Sequence, residues 1–178
     1  MIDIALNTTS LPVMEHFYTI QGEGYHQGKA AYFIEALTTT VLKTPAELVV
    51  ITGGEPLMHN LDTLTAALQS AGLKTNIETS GAHSLSGSWD WICLSPKKFK
   101  APLEEVVPFA NELKVVVFNS SDFGWAEKYA AMVSDNCKLY LQPEWDKAAQ
   151  ITPQIIEYIK ANPKWELSLQ LHKYINVP

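Results

Sequence analysis

The sequence of 178 residues contains no arginine; all 13 of its basic side chains are lysines. The planar fork that grips phosphates and carboxylates through paired bonds is therefore missing. With 19 acidic residues and a net charge of −6, the chain also lacks the clustered positive charge that a nucleic-acid surface needs. Cysteine is nearly absent. Cys93 lies inside an apolar strand-like run and Cys137 just before one, the placement of reduced, buried thiols rather than of a disulfide framework. No apolar run approaches the roughly 20 residues of a membrane helix. The opening MIDIALNTTSLPV has an acid and no basic stretch ahead of its apolar residues, unlike a secretory signal. The expectation is a soluble, cytoplasmic protein whose partners include neither nucleic acid nor membrane. There is no G-x-S-x-G elbow, phosphate-binding loop or dinucleotide fingerprint. The histidines His16, His26, His59, His83 and His172 show no metal-ligand spacing and read as surface or hydrogen-bonded side chains.

What is present is enough apolar material, 47% of residues, for the core of a single domain spanning residues 1–178. The clearest stretch is LVVITGGEPL, 48 to 57, a buried parallel strand running into a tight turn. A Gly-Gly pair by itself is usually turn chemistry. Glu55, fixed by Pro56 just past the strand, stands where α/β sheets place ligand-binding groups. The same pattern recurs. KTNIE (74 to 78) ends in Thr79-Ser80-Gly81, WICL (91 to 94) in Ser95-Pro96-Lys97, LKVVVF (113 to 118) in Asn119-Ser120-Ser121, and KLYL (138 to 141) in Gln142-Pro143-Glu144-Trp145. AAYFI (30 to 34) and WELSL (165 to 169) complete the strands. Helices are expected from an Asn60 cap to Gly72, after an Asp122 cap, and from Thr152-Pro153 onward.

Strands alternating with helices indicate an α/β fold with a largely parallel sheet. Six or seven strands are too few for a closed eight-stranded barrel, so the expected architecture is a partial, splayed βα barrel with its polar strand ends on one rim. On that rim stand Glu55, Thr79, Ser80, Ser95, Lys97, Gln142 and Glu144. Upstream, Gln21-Gly22-Glu23-Gly24 is either a polar hairpin turn or a set of amide, carboxylate and backbone groups suited to a planar polar ligand. From the residues alone, the rim binds a small polar, amine-bearing molecule. A general enzyme using Glu55 as base finds no partner base or nucleophile beside it.

TIQGEG (19 to 24), TGGEPL (52 to 57), ETSG (78 to 81), SPK (95 to 97), LQPE (141 to 144) and the terminal QLHKYINVP together resemble the 7-carboxy-7-deazaguanine synthase family of radical S-adenosylmethionine (SAM) enzymes, in family order over nearly the whole chain. The resemblance implies a lyase that contracts the ring of 6-carboxy-5,6,7,8-tetrahydropterin to 7-carboxy-7-deazaguanine, toward queuosine and other 7-deazapurines. It implies a [4Fe-4S] cluster, SAM and Mg²⁺ as cofactors, an electron donor such as flavodoxin, and a homodimer. By the same resemblance Gly54 and Glu55 meet the SAM amino group, and Thr79, Ser80, Ser95, Pro96, Lys97, Gln142, Pro143, Glu144 and Trp145 line its ribose and adenine. Ile20, Gln21, Gly22, Glu23, Thr52 and the terminal carboxylate of Pro178 hold the pterin, unless the tail merely docks.

The sequence departs from the family at one place. The family's three cluster cysteines follow the first core strand, and this chain has none there. Ile34 is followed by Glu35, where the family has an arginine, and only EALTTTVLKTPAE separates Ile34 from Leu48. That crossover is at the lower limit for parallel strands. The hydroxyl residue expected to help hold Mg²⁺ is absent as well. Cys93 and Cys137, on or beside later strands, cannot substitute. Two readings follow. Either the natural chain carries a cluster loop and part of a helix that this sequence does not record, which the intact far wall and tail favour, or the deletion is genuine. A genuine deletion leaves a non-catalytic scaffold for SAM-like or pterin-like ligands.

Overall fold

A computed structural model of the chain describes residues 16–34 and 44–177. Eight strands form one open sheet in sequential order. They are β1 (His16–Ile20), β2 (Ala30–Ile34), β3 (Leu48–Ile51), β4 (Lys74–Thr79), β5 (Trp91–Leu94), β6 (Glu112–Val117), β7 (Lys138–Pro143) and β8 (Trp165–Leu167). From β2 to β8 every neighbouring pair is parallel, and β1 joins antiparallel to β2. The partial, splayed βα barrel is thus present. It has eight strands rather than six or seven, because the aromatic stretch HFYTI before the QGEG turn pairs as a hairpin arm.

Four helices intervene: α1 (Asp62–Ser70), α2 (Ser121–Ala130), α3 (Ala148–Ala161) and α4 (Leu171–Ile175). Two apolar clusters lie between helices and sheet. Val49, Ile51, Ile77 and Ile92 pack with Leu61, Leu64 and Leu68 at α1. Leu113, Val115, Val117, Leu141 and Trp165 pack with Ala126 and Tyr129 of α2 and Ile151 and Ile155 of α3. Since side chains alternate along a strand, the residues between these anchors face the other way. Glu78, Cys93, Glu112, Lys114 and Gln142 therefore share the concave face of the sheet.

Local chemistry moved several helix ends. Asn60 Oδ1 accepts from the Asp62 N–H at 2.9 Å, close to its expected capping role. Asp122 does not cap α2. It sits in the first turn, and Oδ2 accepts from the Phe118 and Asn119 N–H groups at 2.7 and 2.8 Å, while Asn119 Oδ1 accepts from Ser121 N at 2.9 Å. Helix α3 begins at Ala148, ahead of Thr152-Pro153, with Pro153 inside it. A short 3-10 turn capped by the Glu144 carboxylate, which accepts from Lys147 N at 3.1 Å, leads directly into α3. That earlier start outweighs the one main-chain bond that the proline gives up.

Candidate active site

Beyond Ile51 the chain turns through Gly53 (φ 88°) and Gly54 (φ 47°), a left-handed pair that residues with a Cβ adopt only with strain. The turn lets Glu55 fold back across the end of β4. Its Oε1 accepts from Thr79 Oγ1 at 2.5 Å and from Leu57 N at 3.2 Å. Its Oε2 accepts from Ser80 N at 2.9 Å and also from the Ser80 hydroxyl. Four donors fill the roughly four lone-pair sites of one carboxylate. An incoming ammonium must displace one of them, and the Ser80 hydroxyl is the less encumbered, because Thr79 Oγ1 also accepts from Gly81 N at 2.9 Å.

The next strand end places Ser95, whose hydroxyl lies 3.1 Å from Lys97 Nζ. Burial, followed by the nearby Lys114 charge, holds the Lys97 pKa below the ordinary lysine value. Gln142, at the end of β7, is 4% exposed, and its Oε1 accepts from the Ser168 hydroxyl at 3.0 Å. That hydroxyl accepts in turn from Gly24 N at 3.1 Å, which ties the QGEG turn to the far wall of the sheet.

The QGEG turn closes over the concave face. Gln21 is buried, and its Nε2 donates to Glu78 Oε1 at 2.9 Å. Lys114 Nζ donates to Glu23 Oε2 at 2.5 Å and to Glu78 Oε2 at 3.0 Å. Burial is the largest influence on Glu23 and pushes it up, but the Lys114 ammonium, with Gln170 and His172, leaves it below the ordinary carboxylate value. Burial pulls Lys114 down, and Glu78, Cys93, Glu23 and Glu112 carry it well above the ordinary lysine value. Beneath them Glu112 accepts from Trp91 Nε1 at 3.0 Å and from Tyr25 N at 3.2 Å; burial raises its pKa.

These groups border two adjoining spaces. A cavity of about 590 Å³ is lined by Gly54, Glu55, Thr79, Ser80, Ser95, Lys97 and Gln142, together with Glu23, Thr52, Glu78 and Lys114. A smaller one of about 180 Å³ is lined by Ile20, Gln21, Gly22, Glu23, Thr52, Glu78 and His172, with Phe17 and Phe33 as apolar walls. Glu23, Thr52 and Glu78 border both. The larger volume falls in the range of small-molecule sites. Most residues expected on the rim are therefore brought together, including Glu55, Ser95 and Gln142 from three different strand ends. Pro96, Pro143, Glu144 and Trp145 do not line either space. Pro96 and Pro143 are buried, Glu144 caps the turn before α3, and Trp145 packs edge-on against Tyr174 with Lys173 over its ring. Pro178 and Glu35 lie outside the described residues. Glu78, Lys114 and His172 are site residues not singled out from the sequence. The signal for Lys114 was the alternation in ELKVVV, where polar residues at every second position mark a strand with one polar face.

An open parallel βα sheet with a polar cavity across its strand ends, the wide lobe, and a narrower lobe beside it is the architecture of an α/β enzyme with its site on one rim. Against models of known protein families the chain gives no match. It is 45% identical to the 7-carboxy-7-deazaguanine synthase of Flavobacterium psychrophilum, covering 94% of this chain and 93% of the relative. It is 41% identical to that of Synechocystis sp., covering 97% and 96%. The crystal structure of QueE from Escherichia coli superposes with a TM-score of 0.77 at 29% identity, over 90% of this chain and 94% of that one. The chain belongs to the 7-carboxy-7-deazaguanine synthase family.

The alignments also measure what this chain lacks. They run over 195 and 201 positions, more than the 178 residues here, while matching only 94% and 97% of them. Positions in both relatives thus face no residue of this chain. The residues present do not fit a [4Fe-4S] cluster, which takes three thiolates here plus an open iron. Cys93 is buried, with Sγ 3.5 Å from Glu112 Oε1, and its thiol pKa is pushed well up by burial and then by Glu112. Burial likewise pushes the buried Cys137 up to about 12. Among the described residues no group of three His, Cys, Asp or Glu side chains could hold a metal ion. The chemistry of the residues expected to face SAM suits that group: the Glu55 carboxylate for an amino group, the Thr79, Ser80 and Ser95 hydroxyls and the Gln142 amide for a ribose and base.

Proposed function

We propose that the two lobes hold the two reactants of the ring contraction of 6-carboxy-5,6,7,8-tetrahydropterin to 7-carboxy-7-deazaguanine, a lyase step in queuosine and 7-deazapurine biosynthesis. The observation that carries this reading is the gathering of residues from QGEG, TGGEP, ETSG, SPK and Gln142 around two adjoining spaces that share Glu23, Thr52 and Glu78. In the wide lobe Glu55 takes the SAM ammonium, with Gly53 and Gly54 giving it room to approach. Thr79, Ser80, Ser95, Lys97 and Gln142 face the ribose and adenine. In the narrow lobe Phe17 and Phe33 border the flat ring system, and Gln21, Glu23 and Thr52 meet its polar edge. In this family SAM supplies the radical that opens the reaction. That chemistry belongs to a chain that carries the cluster thiolates.

The complete protein therefore includes a segment after Ile34 that holds the [4Fe-4S] cluster and part of the Mg²⁺ shell, works in the cytoplasm as a homodimer, and takes its electron from a flavodoxin-type donor. Calorimetry tests the binding part on this chain directly. SAM and 6-carboxypterin should each bind, and each should still bind when the other is saturating. Failure of both to bind overturns the reading. The intact mass of the natural protein tests the remainder, and a value at 19.8 kDa would show that no cluster segment exists.

A further inference from the structure

We infer that Lys114, in the wall of the wide lobe, is a positioning residue for the narrow one: it aligns Glu23 and Glu78, which border both, as a pair of acceptors and thereby fixes which way the Gln21 amide faces. This role rests on the pterin reading of that lobe.

Lys114 is 3% exposed, and lysine is almost never this buried unless paired. Its three N–H donors meet the QGEG turn and β4 at once, through Glu23 and Glu78. A cation with two carboxylates leaves the group one negative charge in excess. Such a lining suits the edge of a heterocycle that presents adjacent N–H donors, as the 2-amino group and ring N3–H of a pterin do, and repels an edge of carbonyl and ring-nitrogen acceptors. The amide follows from the same geometry. Glu78 Oε2 is occupied by Lys114 and Oε1 by Gln21 Nε2, so the nitrogen of Gln21 is turned to Glu78 and its Oε1 is the atom left for a ligand. Both acceptors and the amide thus depend on one buried ammonium that is itself donated inward and is not needed to touch the ligand.

The other titratable groups around Lys114 are Glu112 on its own strand, Cys93 on β5, Lys97 beyond β5, and His172 of α4 across Glu23. All of them are common to parent and variant, so the test uses the difference between the two. Lys114→Met removes the charge at similar length. Two carboxylates facing each other without a cation share a proton, which a donor-bearing ligand must expel. The expected result is 6-carboxypterin binding weakened about tenfold or more, the loss of one charge-assisted contact. Binding should weaken further as pH falls from 8 to 6, with proton release seen as a dependence of the calorimetric heat on buffer ionisation. The unaltered chain and Lys114→Arg should bind the pterin with nearly flat pH dependence and no proton release in excess of each other. Equal affinity and equal proton count for parent and Lys114→Met overturn the role of Lys114. Absence of pterin binding to the unaltered chain overturns the reading of the lobe as well. If Lys114→Met does not fold, the parent alone decides: release or uptake of about one proton on binding between pH 6 and 8 means that Lys114 does not keep the pair ionised.

Discussion

At the scale of single residues, Glu55 is the group whose chemistry is most constrained. Four donors already occupy its two oxygens, so it clasps the TGGEP turn to the end of β4. In the proposed function, binding exchanges one of those donors for the ligand ammonium. Glu55→Gln loses the charge and half of the acceptor capacity, and calorimetry should show SAM affinity falling about tenfold to a hundredfold, the range for a charge-assisted hydrogen bond in a half-buried site. Ser80→Ala removes the donor that must leave. It should lower SAM affinity by no more than a few-fold, because the hydroxyl lost to the nucleoside is offset by a donor that no longer has to be displaced, and a loss as large as that of Glu55→Gln would show that no such displacement occurs. The strand-end carboxylate and hydroxyls were legible in the sequence because each follows an apolar run that can only be a buried strand. Glu78 and Lys114 were harder to see. They lie inside strands, where a charge among β-formers reads as a solvated edge unless its counter-ion, here 36 residues away, is known.

At the scale of elements, the hairpin of β1 and β2 and the short helix α4 act as one clamp. Leu171 N donates to the Gly22 carbonyl at 2.8 Å, and a Cβ on Gly22 would lie 2.2 Å from His172 Nδ1 and 2.8 Å from His172 Cβ. Glycine is required here by the approach of α4. Gly22→Ala should therefore lift α4 from the turn, at a cost of about 1–3 kcal/mol for overpacking, and weaken 6-carboxypterin binding several-fold while sparing SAM. Thermal denaturation and calorimetry check the two halves. The sequence offered QGEG and HKY as separate motifs, and their contact could not be read from it because no local signal records a tertiary approach.

A second joint fastens α2 to β6 through Asp122. The residue is 5% exposed. Burial is the largest influence on it and acts upward, but the Lys98 ion pair and the Asn119 and Phe118 N–H donors leave its pKa below 3.8. A carboxylate with a depressed folded pKa contributes stability that is present above its unfolded pKa and lost as pH falls through the folded value. Asp122→Asn should therefore cost about 1–3 kcal/mol at pH 7, with the gap to the parent constant down to about pH 4 and closing below it. Denaturant titrations at pH 7, 4 and 3 would show this. An unchanged gap at pH 3 would mean that the backbone donors are satisfied without the charge. Asp122 was expected as a helix cap. Ser120 holds that position without a side-chain bond, while Asn119 Oδ1 accepts from Ser121 N and Asp122 closes the strand-to-helix corner, a choice made by tertiary geometry and not by local preference.

For the whole molecule, the question is how a family that works through a cluster relates to a chain whose sheet, cavity and motifs are complete and whose thiols are not. Both cysteines are accounted for by packing: Cys93 against Glu112 beneath the cavity, and Cys137 at the foot of β7 in the core formed with α2 and α3. Neither has the low thiol pKa of a ready metal ligand. The alignments place additional residues in the relatives, and the 13 residues between Ile34 and Leu48 are at the lower limit for a crossover between parallel strands. Inserting the corresponding segment of the Flavobacterium psychrophilum relative after Ile34 should therefore give a chain that turns brown on anaerobic reconstitution with iron and sulfide and binds about four irons. The present chain, treated identically, should remain colourless after desalting. Replacing Cys93 and Cys137 by serine in the extended chain should leave its iron content unchanged. If the present chain takes up the cluster, or if the double replacement abolishes uptake, the cluster is held from beneath the sheet. The division of labour between a preformed binding cavity and a separate cluster segment would then be wrong.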